Sequence, residues 1–240
     1  WTENVSVLEK NADRTAGSRL VWQSQKCRKR RKKSDIGTLP IGLLQDRIAA
    51  AINALGKENQ GWKFAVENLS YRELGQKMLR GELDCILSLE DENKEILTDD
   101  FAEIPLMELM PSLVISDIHP LYHEKVKPME LKDTTFYILS QKYSYRAEDN
   151  ILKYCKSTGF VPEKIQYFDD VNSMELALYG GTGVALIYYE FFRNSSGHLK
   201  KIPLEPEAYV VGNRFMVAYP QNRYLQLKGF LKYLLEDTKG

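Results

Sequence analysis

The stretch FAVENLSYRELGQKMLRGELDCILS, residues 64–88, carries the order strand, helix, strand that decides the fold class. Its first six residues alternate in polarity, as the residues of a half-buried strand do. Ser70, followed three residues later by Glu73, is the pattern of a capping box and predicts a helix that ends near Gly81. The last five residues predict another strand. Two strands joined through one helix by short connections indicate parallel pairing with a right-handed crossover.

The residues upstream of this stretch extend the same alternation. Residues 38–43, TLPIGL, are predicted to form a short apolar strand, and residues 45–55 a helix. The helix is indicated by apolar side chains at helical spacing, namely Ile48, Ala51, Ile52 and Leu55. Together the segments give a β-α-β-α-β unit, which is typical of a largely parallel sheet.

The residues downstream predict a second α/β unit of similar kind. Strand-like runs occupy residues 104–107, 113–115, 136–139, 165–168, 184–187 and 215–219. Helical patterns occupy residues 150–157, 173–179 and 224–235. The last strand and helix remain after two successive units are completed. Two α/β lobes joined by crossing strands account for this remainder, and that is the fold class we predict.

The composition limits the classes of partner. The chain has 33 basic and 33 acidic side chains, whereas a nucleic-acid-binding domain usually carries a basic excess. No stretch reaches the ~18–20 apolar residues that cross a bilayer. The first residues also lack the pattern of a signal peptide. These features favour a cytoplasmic protein with no membrane partner.

Residues 1–35 differ in texture from the rest and are predicted to be a linker. Apolar side chains at positions 5, 8, 12, 16 and 20 follow helical spacing, and residues 26–33 carry seven positive charges in eight positions. Such a run is usually a solvated linker or helix end. Direct contact with DNA or another polyanion is the alternative, and the sequence leaves it open.

Enzyme, metal and redox sites have little support in the sequence. We find no G-x-S-x-G elbow, no P-loop and no zinc pattern, so neither catalytic residues nor a cofactor are expected. His119 and His123 flank Pro120, which prevents a continuous helix from presenting them as a metal pair. A peroxide sensor needs a reactive thiol in the second lobe, where Cys155 is the one cysteine.

Candidate ligand-binding residues follow from a rule for open α/β sheets. Ligands lie beyond the carboxyl ends of the strands, where the free N–H groups of helix N-termini face the ligand. Polar side chains at such positions suit hydrogen bonding of a small polar molecule. The predicted set is Gln45, Arg47, Ser70, Tyr71, Ser140, Gln141, Asn172, Ser173 and Thr182.

Several members of this set have a structural alternative. Ser70 suits a helix cap, and Asn172 and Ser173 suit either a cap or a ligand contact. Arg47 can pair with a carboxylate or remain a solvated charge. Asp46 beside it would repel an anion, so the sign of the ligand's charge stays open. The apolar run at residues 187–192 is assigned to the core and to a dimer surface rather than to the ligand.

Five segments in order resemble one family, the effector-binding domains of LysR-type transcriptional regulators. They are LPIG at residues 39–42, LRGELD at 79–84, HPL at 119–121, GGTGVAL at 180–186 and the segment at 199–203. The resemblance covers about residues 36–238. It implies the type 2 periplasmic-binding-protein-like fold of two Rossmann-like lobes. Lobe I would comprise residues 36–112 and 212–240, and lobe II residues 113–211.

The resemblance also implies a function. A small-molecule effector would bind in the cleft without chemistry, and DNA would be contacted only through an N-terminal winged helix-turn-helix that this chain does not include. The chain would form a homodimer, and the full-length protein a tetramer. The helix at residues 46–55, with Ala49, Ala50 and Ala51, is the candidate dimer contact. The alternatives are an extracytoplasmic solute-binding protein of a transporter and an enzyme built on the same fold.

Overall fold

The computed structural model describes residues 33–58, 61–123, 125–192, 197–204 and 212–236. Most of the predicted linker and Cys27 lie outside the described residues. Among the described helices, none is both long enough and apolar enough to cross a membrane.

The first part of the chain alternates strands and helices. Its elements are β1 (Lys33–Thr38), α1 (Gly42–Glu58), β2 (Lys63–Asn68), α2 (Tyr71–Leu79), β3 (Cys85–Leu89), α3 (Glu90–Asn93) and β4 (Phe101–Leu109). The second part repeats the alternation. Its elements are β5 (Ser112–Ser116), β6 (Thr135–Leu139), α4 (Ala147–Ser157), β7 (Lys164–Phe168), α5 (Val171–Tyr179), β8 (Gly183–Ile187), β9 (Leu199–Pro203), β10 (Asn213–Pro220) and α6 (Tyr224–Leu235). Short 3-10 helices occupy Pro128–Leu131, Tyr189–Phe191 and Gln221–Arg223.

Two five-stranded sheets with equivalent topology form the two lobes. The sheet of lobe I has the order β2-β1-β3-β10-β4, and that of lobe II has the order β7-β6-β8-β5-β9. In each sheet the first three strands in this order are parallel. The fourth strand, β10 in lobe I and β5 in lobe II, pairs antiparallel with the strand on each side of it. The chain crosses to lobe II between Leu109 and Ser112 and returns between Pro203 and Asn213. The predicted lobe boundaries at residues 112–113 and 211–212 stay predictions, and they fall within or beside these crossings.

The capping box predicted for α2 is confirmed. The Ser70 hydroxyl accepts a hydrogen bond of 3.3 Å from the backbone N–H of Glu73. The Glu73 carboxylate in turn accepts one of 2.9 Å from the backbone N–H of Ser70. This reciprocal pair satisfies two N–H groups that a helix start otherwise leaves without a partner. It holds the start of α2 at the carboxyl end of β2.

The position predicted for the first strand is wrong. The sequence analysis places it at residues 38–43, whereas β1 is Lys33–Thr38 and α1 begins at Gly42. β1 lies between β2 and β3, so it needs backbone donors on both edges, and Pro40 has none. Lys33 pairs with Lys63 in the parallel ladder. The last residues of the predicted linker therefore belong to the sheet.

The hydrophobic interior connects the two lobes. One cluster of buried side chains contains Leu89 and Phe215 from lobe I together with Tyr143, Met174 and Phe191 from lobe II. A second cluster, built around Phe136 and Ile138, lies within lobe II. Because the first cluster spans both lobes, their relative arrangement is stabilised by apolar burial as well as by the polar contacts described below.

Candidate functional site

A cavity of about 260 Å³ lies between the lobes. It is bordered by the residues that follow the carboxyl ends of β3, β6 and β8, and by the first two turns of α4. Its apolar and aromatic wall consists of Tyr71, Leu89, Tyr137, Leu139, Ile151, Tyr154, Met174, Leu186, Ile187, Tyr188, Phe191 and Leu204. Its polar and charged lining residues are Glu90, Asp91, Glu92, Lys94, Ser144, Arg146, Asn150, Lys153 and Asn213. A cavity that combines apolar walls with convergent polar groups is the usual form of a small-molecule site.

Glu92 connects the two lobes through its buried carboxylate. Its Oε2 accepts a hydrogen bond of 2.9 Å from the backbone N–H of Tyr145, and its Oε1 accepts one of 3.2 Å from that of Arg146 and another from the Ser144 hydroxyl. These donors stand at the start of α4, where the helix dipole favours a negative charge. Burial nevertheless raises the pKa of the Glu92 carboxyl above its ordinary value.

Asp91 connects three elements at the same edge of the cavity. Its Oδ1 accepts a hydrogen bond of 2.5 Å from the side-chain amide of Asn213, at the start of β10, and one of 2.9 Å from the N–H of Glu92. Its Oδ2 accepts one of 2.9 Å from the side-chain amide of Asn150 on α4. Among the residues that the structure describes, neither Asp91 nor Glu92 forms an ion pair.

The basic side chains beside the cavity are directed to other acids. Glu90 receives Arg214 at 2.7 Å and Lys94 at 2.9 Å. These two hydrogen-bonded cations, Arg214 foremost, lower the pKa of the Glu90 carboxyl to about 2. Arg146 lies 3.2 Å from Glu95. Among the described residues, these ion pairs therefore compensate Glu90 and Glu95, while the donors to Asp91 and Glu92 are neutral.

Tyr71 brings a buried phenol to the cavity. Its side chain is 2% exposed, and its hydroxyl has no hydrogen-bond partner among the described residues. The ring of Tyr143 meets it edge to face at 5.7 Å between centroids. Burial raises the pKa of the Tyr71 phenol well above its ordinary value, and the Tyr143 phenol and the negative charge of Glu92 raise it further. A buried hydroxyl without a partner is costly and is unusual in a folded protein.

Of the ligand residues predicted in lobe I, the structure brings one to the cavity and gives the others different contacts. Tyr71 lines the cavity. Ser70 caps α2, and Gln45 donates a hydrogen bond of 3.3 Å to the Asn68 side chain. Arg47 donates to the backbone carbonyls of Leu234, at 2.8 Å, and Leu106, at 3.3 Å, so its guanidinium contacts α6 and β4. Ligand contact by Ser70, Gln45 and Arg47 stays a prediction.

The predicted residues of lobe II lie outside the cavity lining. Ser140 donates a hydrogen bond of 2.6 Å to Asp169, and Gln141 is exposed. Asn172 and Ser173 are exposed in the first turn of α5. The N-cap of that helix is Asp170, whose Oδ1 accepts the N–H of Ser173 at 2.8 Å, so neither predicted residue is the cap. The last member of the predicted set, Thr182, precedes β8 at the amino end of its sheet, 2.7 Å from the Tyr137 hydroxyl.

Sequence reasoning missed the acidic side of the cavity. Glu90, Asp91 and Glu92 directly follow β3, so the rule about carboxyl ends of strands already pointed to them. The predicted set contains residues that follow the first two strands of lobe I and none that follows the third. Tyr188 and Phe191, assigned from the sequence to the core and a dimer surface, also line the cavity. They follow the carboxyl end of β8, so the same rule also pointed to them.

The two described cysteines lack the environment of a reactive thiol. Burial raises the pKa of the Cys155 thiol to about 12, and burial also raises that of the Cys85 thiol. A thiol sensor works through a thiolate, so these two residues are poor candidates for one. Within the described ranges no three His, Cys, Asp or Glu side chains are grouped so that they could hold a metal ion.

The family model of the LysR substrate binding domain matches residues 33–238. The chain belongs to this family. No curated protein sequence matches the chain. The match spans all ten strands, and it confirms the resemblance that the five sequence motifs indicated.

Solved structures of LysR-type regulators have the same fold. The reduced form of the OxyR regulatory domain from Pseudomonas aeruginosa is 16% identical, with a TM-score of 0.62 over 85% of this chain and 97% of that one. The effector binding domain of a BenM variant is 15% identical, with a TM-score of 0.66 over 85% and 93%. BenM with its effector benzoate is 13% identical, with a TM-score of 0.65 over 84% and 90%. The predicted fold class, two lobes of the periplasmic-binding-protein type, is confirmed.

Proposed function

We propose that this LysR-type domain senses a small polar molecule in the interlobe cavity and thereby controls the DNA binding of the regulator to which it belongs. The observation that carries the proposal is the cavity itself, which is lined by residues of both lobes, including Tyr71, whose buried hydroxyl has no hydrogen-bond partner among the described residues. At about 260 Å³ it lies below the range of about 300–1,000 Å³ that suits drug-sized ligands, so a small metabolite is the expected occupant.

The contacts around the cavity provide a means of coupling. Asp91 and Glu92 on lobe I hold the start of α4 on lobe II, and Asp91 also holds Asn213 at the returning strand. A ligand that adds to or replaces these bonds changes the relative free energy of lobe arrangements. It can shift that equilibrium only by the difference between its affinities for the two arrangements.

The family relationship supports a sensor over the other functions considered. BenM binds its effector benzoate, a small molecule, in a domain of this fold. The family match does not favour a transport receptor. For an enzyme, the cavity would need an activated nucleophile or an acid–base pair, whereas Asp91 and Glu92 are engaged in contacts between the lobes and Glu90 is paired with two bases.

The experiment is a metabolite screen by thermal shift on the 240-residue chain, followed by titration calorimetry of each hit. Ala147 lines the cavity at the first residue of α4, so A147F should fill part of the cavity and abolish binding. L176F, which adds similar aromatic bulk at a side chain that is 72% exposed, is the matched control. Binding that A147F leaves unchanged would refute the cavity as the site, and consumption of the ligand would refute a pure sensor.

A further inference from the structure

We infer that the occupant of the cavity is a small organic cation, a primary amine with an aromatic or branched apolar body, whose ammonium group binds Asp91, Glu92 and Tyr71. The inference rests on the proposed function, because it names the class of ligand for the same site. It is carried by two adjacent carboxylates without a cationic partner among the described residues, that of Glu92 buried and that of Asp91 half-buried, and by the buried Tyr71 hydroxyl, which likewise has no hydrogen-bond partner among those residues.

The first step is the count of hydrogen-bond sites on the two carboxylates. A carboxylate offers about four lone-pair sites. Asp91 accepts three hydrogen bonds, two at Oδ1 and one at Oδ2. Glu92 also accepts three, two at Oε1 and one at Oε2. Each carboxylate therefore keeps one site, at Asp91 Oδ2 and at Glu92 Oε2, for a further donor.

The second step is charge. Among the described residues, the donors to Asp91 and Glu92 are neutral amides, backbone N–H groups and a hydroxyl, so two carboxylates lie side by side, one buried and one half-buried, without a cation bonded to either. Enclosed charge is costly unless it is paired. Three basic side chains also line the cavity, but Lys94 pairs with Glu90, Arg146 pairs with Glu95, and Lys153 is exposed. A bound cation would supply the missing countercharge.

The third step is the match between an ammonium group and the groups available. An ammonium has three N–H donors and no acceptor. The free sites of Asp91 and Glu92 accept two of them, and the Tyr71 oxygen accepts the third. The surrounding tyrosine rings, among them Tyr188, add a favourable aromatic surface for a cation. The apolar side chains of the wall suit a hydrocarbon body.

Other ligand classes fit less well. A carboxylate placed beside Tyr71 would face Asp91 and Glu92, and like charges at short range repel each other. The basic side chains of the lining are paired with other acids or exposed. A neutral alcohol can occupy the apolar part of the cavity, yet it leaves both negative charges without a countercharge. The expected order of affinity for molecules of one shape is therefore amine, then alcohol, then acid.

The test uses three probes of nearly equal shape, 2-phenylethylamine, 2-phenylethanol and 3-phenylpropanoate, titrated calorimetrically into the 240-residue chain at neutral pH. Because charge-assisted hydrogen bonds are roughly twice as strong as neutral ones, we expect the amine to bind at least about tenfold more tightly than the alcohol. We expect no measurable binding of the acid. Equal or tighter binding of the alcohol or the acid, or no amine binding at millimolar concentration, overturns the inference.

Variants assign the effect to the named residues. D91N should weaken amine binding about tenfold and leave alcohol binding unchanged, because it removes charge and keeps the shape. Y71F should weaken amine binding about threefold through loss of one acceptor. D133N, at an exposed acid on the surface of lobe II, is the matched control and should change neither. Amine binding that D91N leaves intact overturns the assignment. A D91N variant that loses alcohol binding as well is misfolded, and the amine affinity of Y71F then tests the assignment.

The same data separate this inference from the proposed function. If the acid or the alcohol binds as tightly as the amine or more tightly, and A147F abolishes that binding, the amine inference is refuted and the cavity remains the sensing site. Metabolite binding that A147F never affects refutes the cavity, and the inference with it.

Discussion

The backbone N–H of Tyr145 in lobe II donates a hydrogen bond of 2.9 Å to the carboxylate of Glu92 in lobe I. Glu92 is 2% exposed, so this contact buries a carboxyl group between the lobes. Two residues before it in the chain, Glu90 is paired with Arg214 and Lys94 at the rim. Neighbouring acids of one short helix therefore have opposite environments, and they should respond to pH in opposite directions.

Glu92 should make the folded state less stable as the pH rises. Its pKa is raised in the folded chain, so the folded state binds the proton more tightly than the unfolded one. The stability from this group is complete below its ordinary pKa and is lost as the pH rises through the raised pKa. We therefore expect E92Q to gain stability relative to the parent chain across that window. Urea unfolding of both chains at several pH values measures the difference.

Glu90 provides the control with the opposite sign. Its pKa is lowered to about 2, so its stabilising contribution is present above the ordinary value and is lost as the pH falls toward 2. E90Q should accordingly be least stable, relative to the parent chain, at neutral pH. If both variants changed in the same direction, the two environments would not differ as described.

Gly183 is required where β8 lies against β6. A Cβ at this position would lie 2.4 Å from the Tyr137 ring and 2.8 Å from the Thr135 carbonyl oxygen, and the latter belongs to backbone. We expect G183A to lower the free energy of unfolding by about 1–3 kcal/mol through overpacking. G56A, in α1 with nothing within 4 Å of the new methyl group, should raise it by about 0.5–1 kcal/mol. Thermal or urea unfolding of both compares them, and equal effects would contradict the packing argument.

The fold could be predicted from the sequence because its signals are local. The Ser70–Glu73 cap, the periodicity of α6 and the alternating strands each depend on a few neighbouring residues. The start of β1 could not be read in this way. Its strand character comes from pairing with two neighbours in the sheet, and its own residues are mostly polar or small.

The site was harder to predict because it depends on the packing of one lobe against the other. Tyr71 could be predicted as a ligand residue because it begins a helix that follows a strand. The sequence around Arg47 does not show whether its side chain faces the cleft or α6. The carbonyls that it contacts, those of Leu106 and Leu234, are distant in sequence. In their local sequence the acids of α3 resemble an ordinary solvated helix start. The buried environment of Glu92 depends on its contacts with the start of α4, which is distant in sequence.

The helix α1 offers a test of self-association. Its buried residues, including Ile48 and Ala51, face the protein, whereas Ala49 is exposed and Ala50 half-buried. If two copies associate through this helix, A50E should lower the dimer fraction, because a charge at an isologous contact meets its own copy. Q76E, at an exposed position of α2, should leave it unchanged. Sedimentation velocity measures both, and an A50E chain that associates like the parent removes α1 from the interface.

Arg47 decides between the ligand role predicted from the sequence and the contacts that the structure describes. Its guanidinium donates to two backbone carbonyls, one of which, that of Leu234, lies at the end of α6, where the helix dipole favours a positive charge. We expect R47Q to lower the free energy of unfolding by about 1–3 kcal/mol, since it leaves those carbonyls with fewer donors. We expect ligand affinity to remain that of the parent chain. The comparison uses urea unfolding together with calorimetric titration of a cavity ligand. R80Q, at an arginine paired with Glu82 on the surface, should change neither quantity. A large loss of affinity at unchanged stability would instead place Arg47 in the binding site.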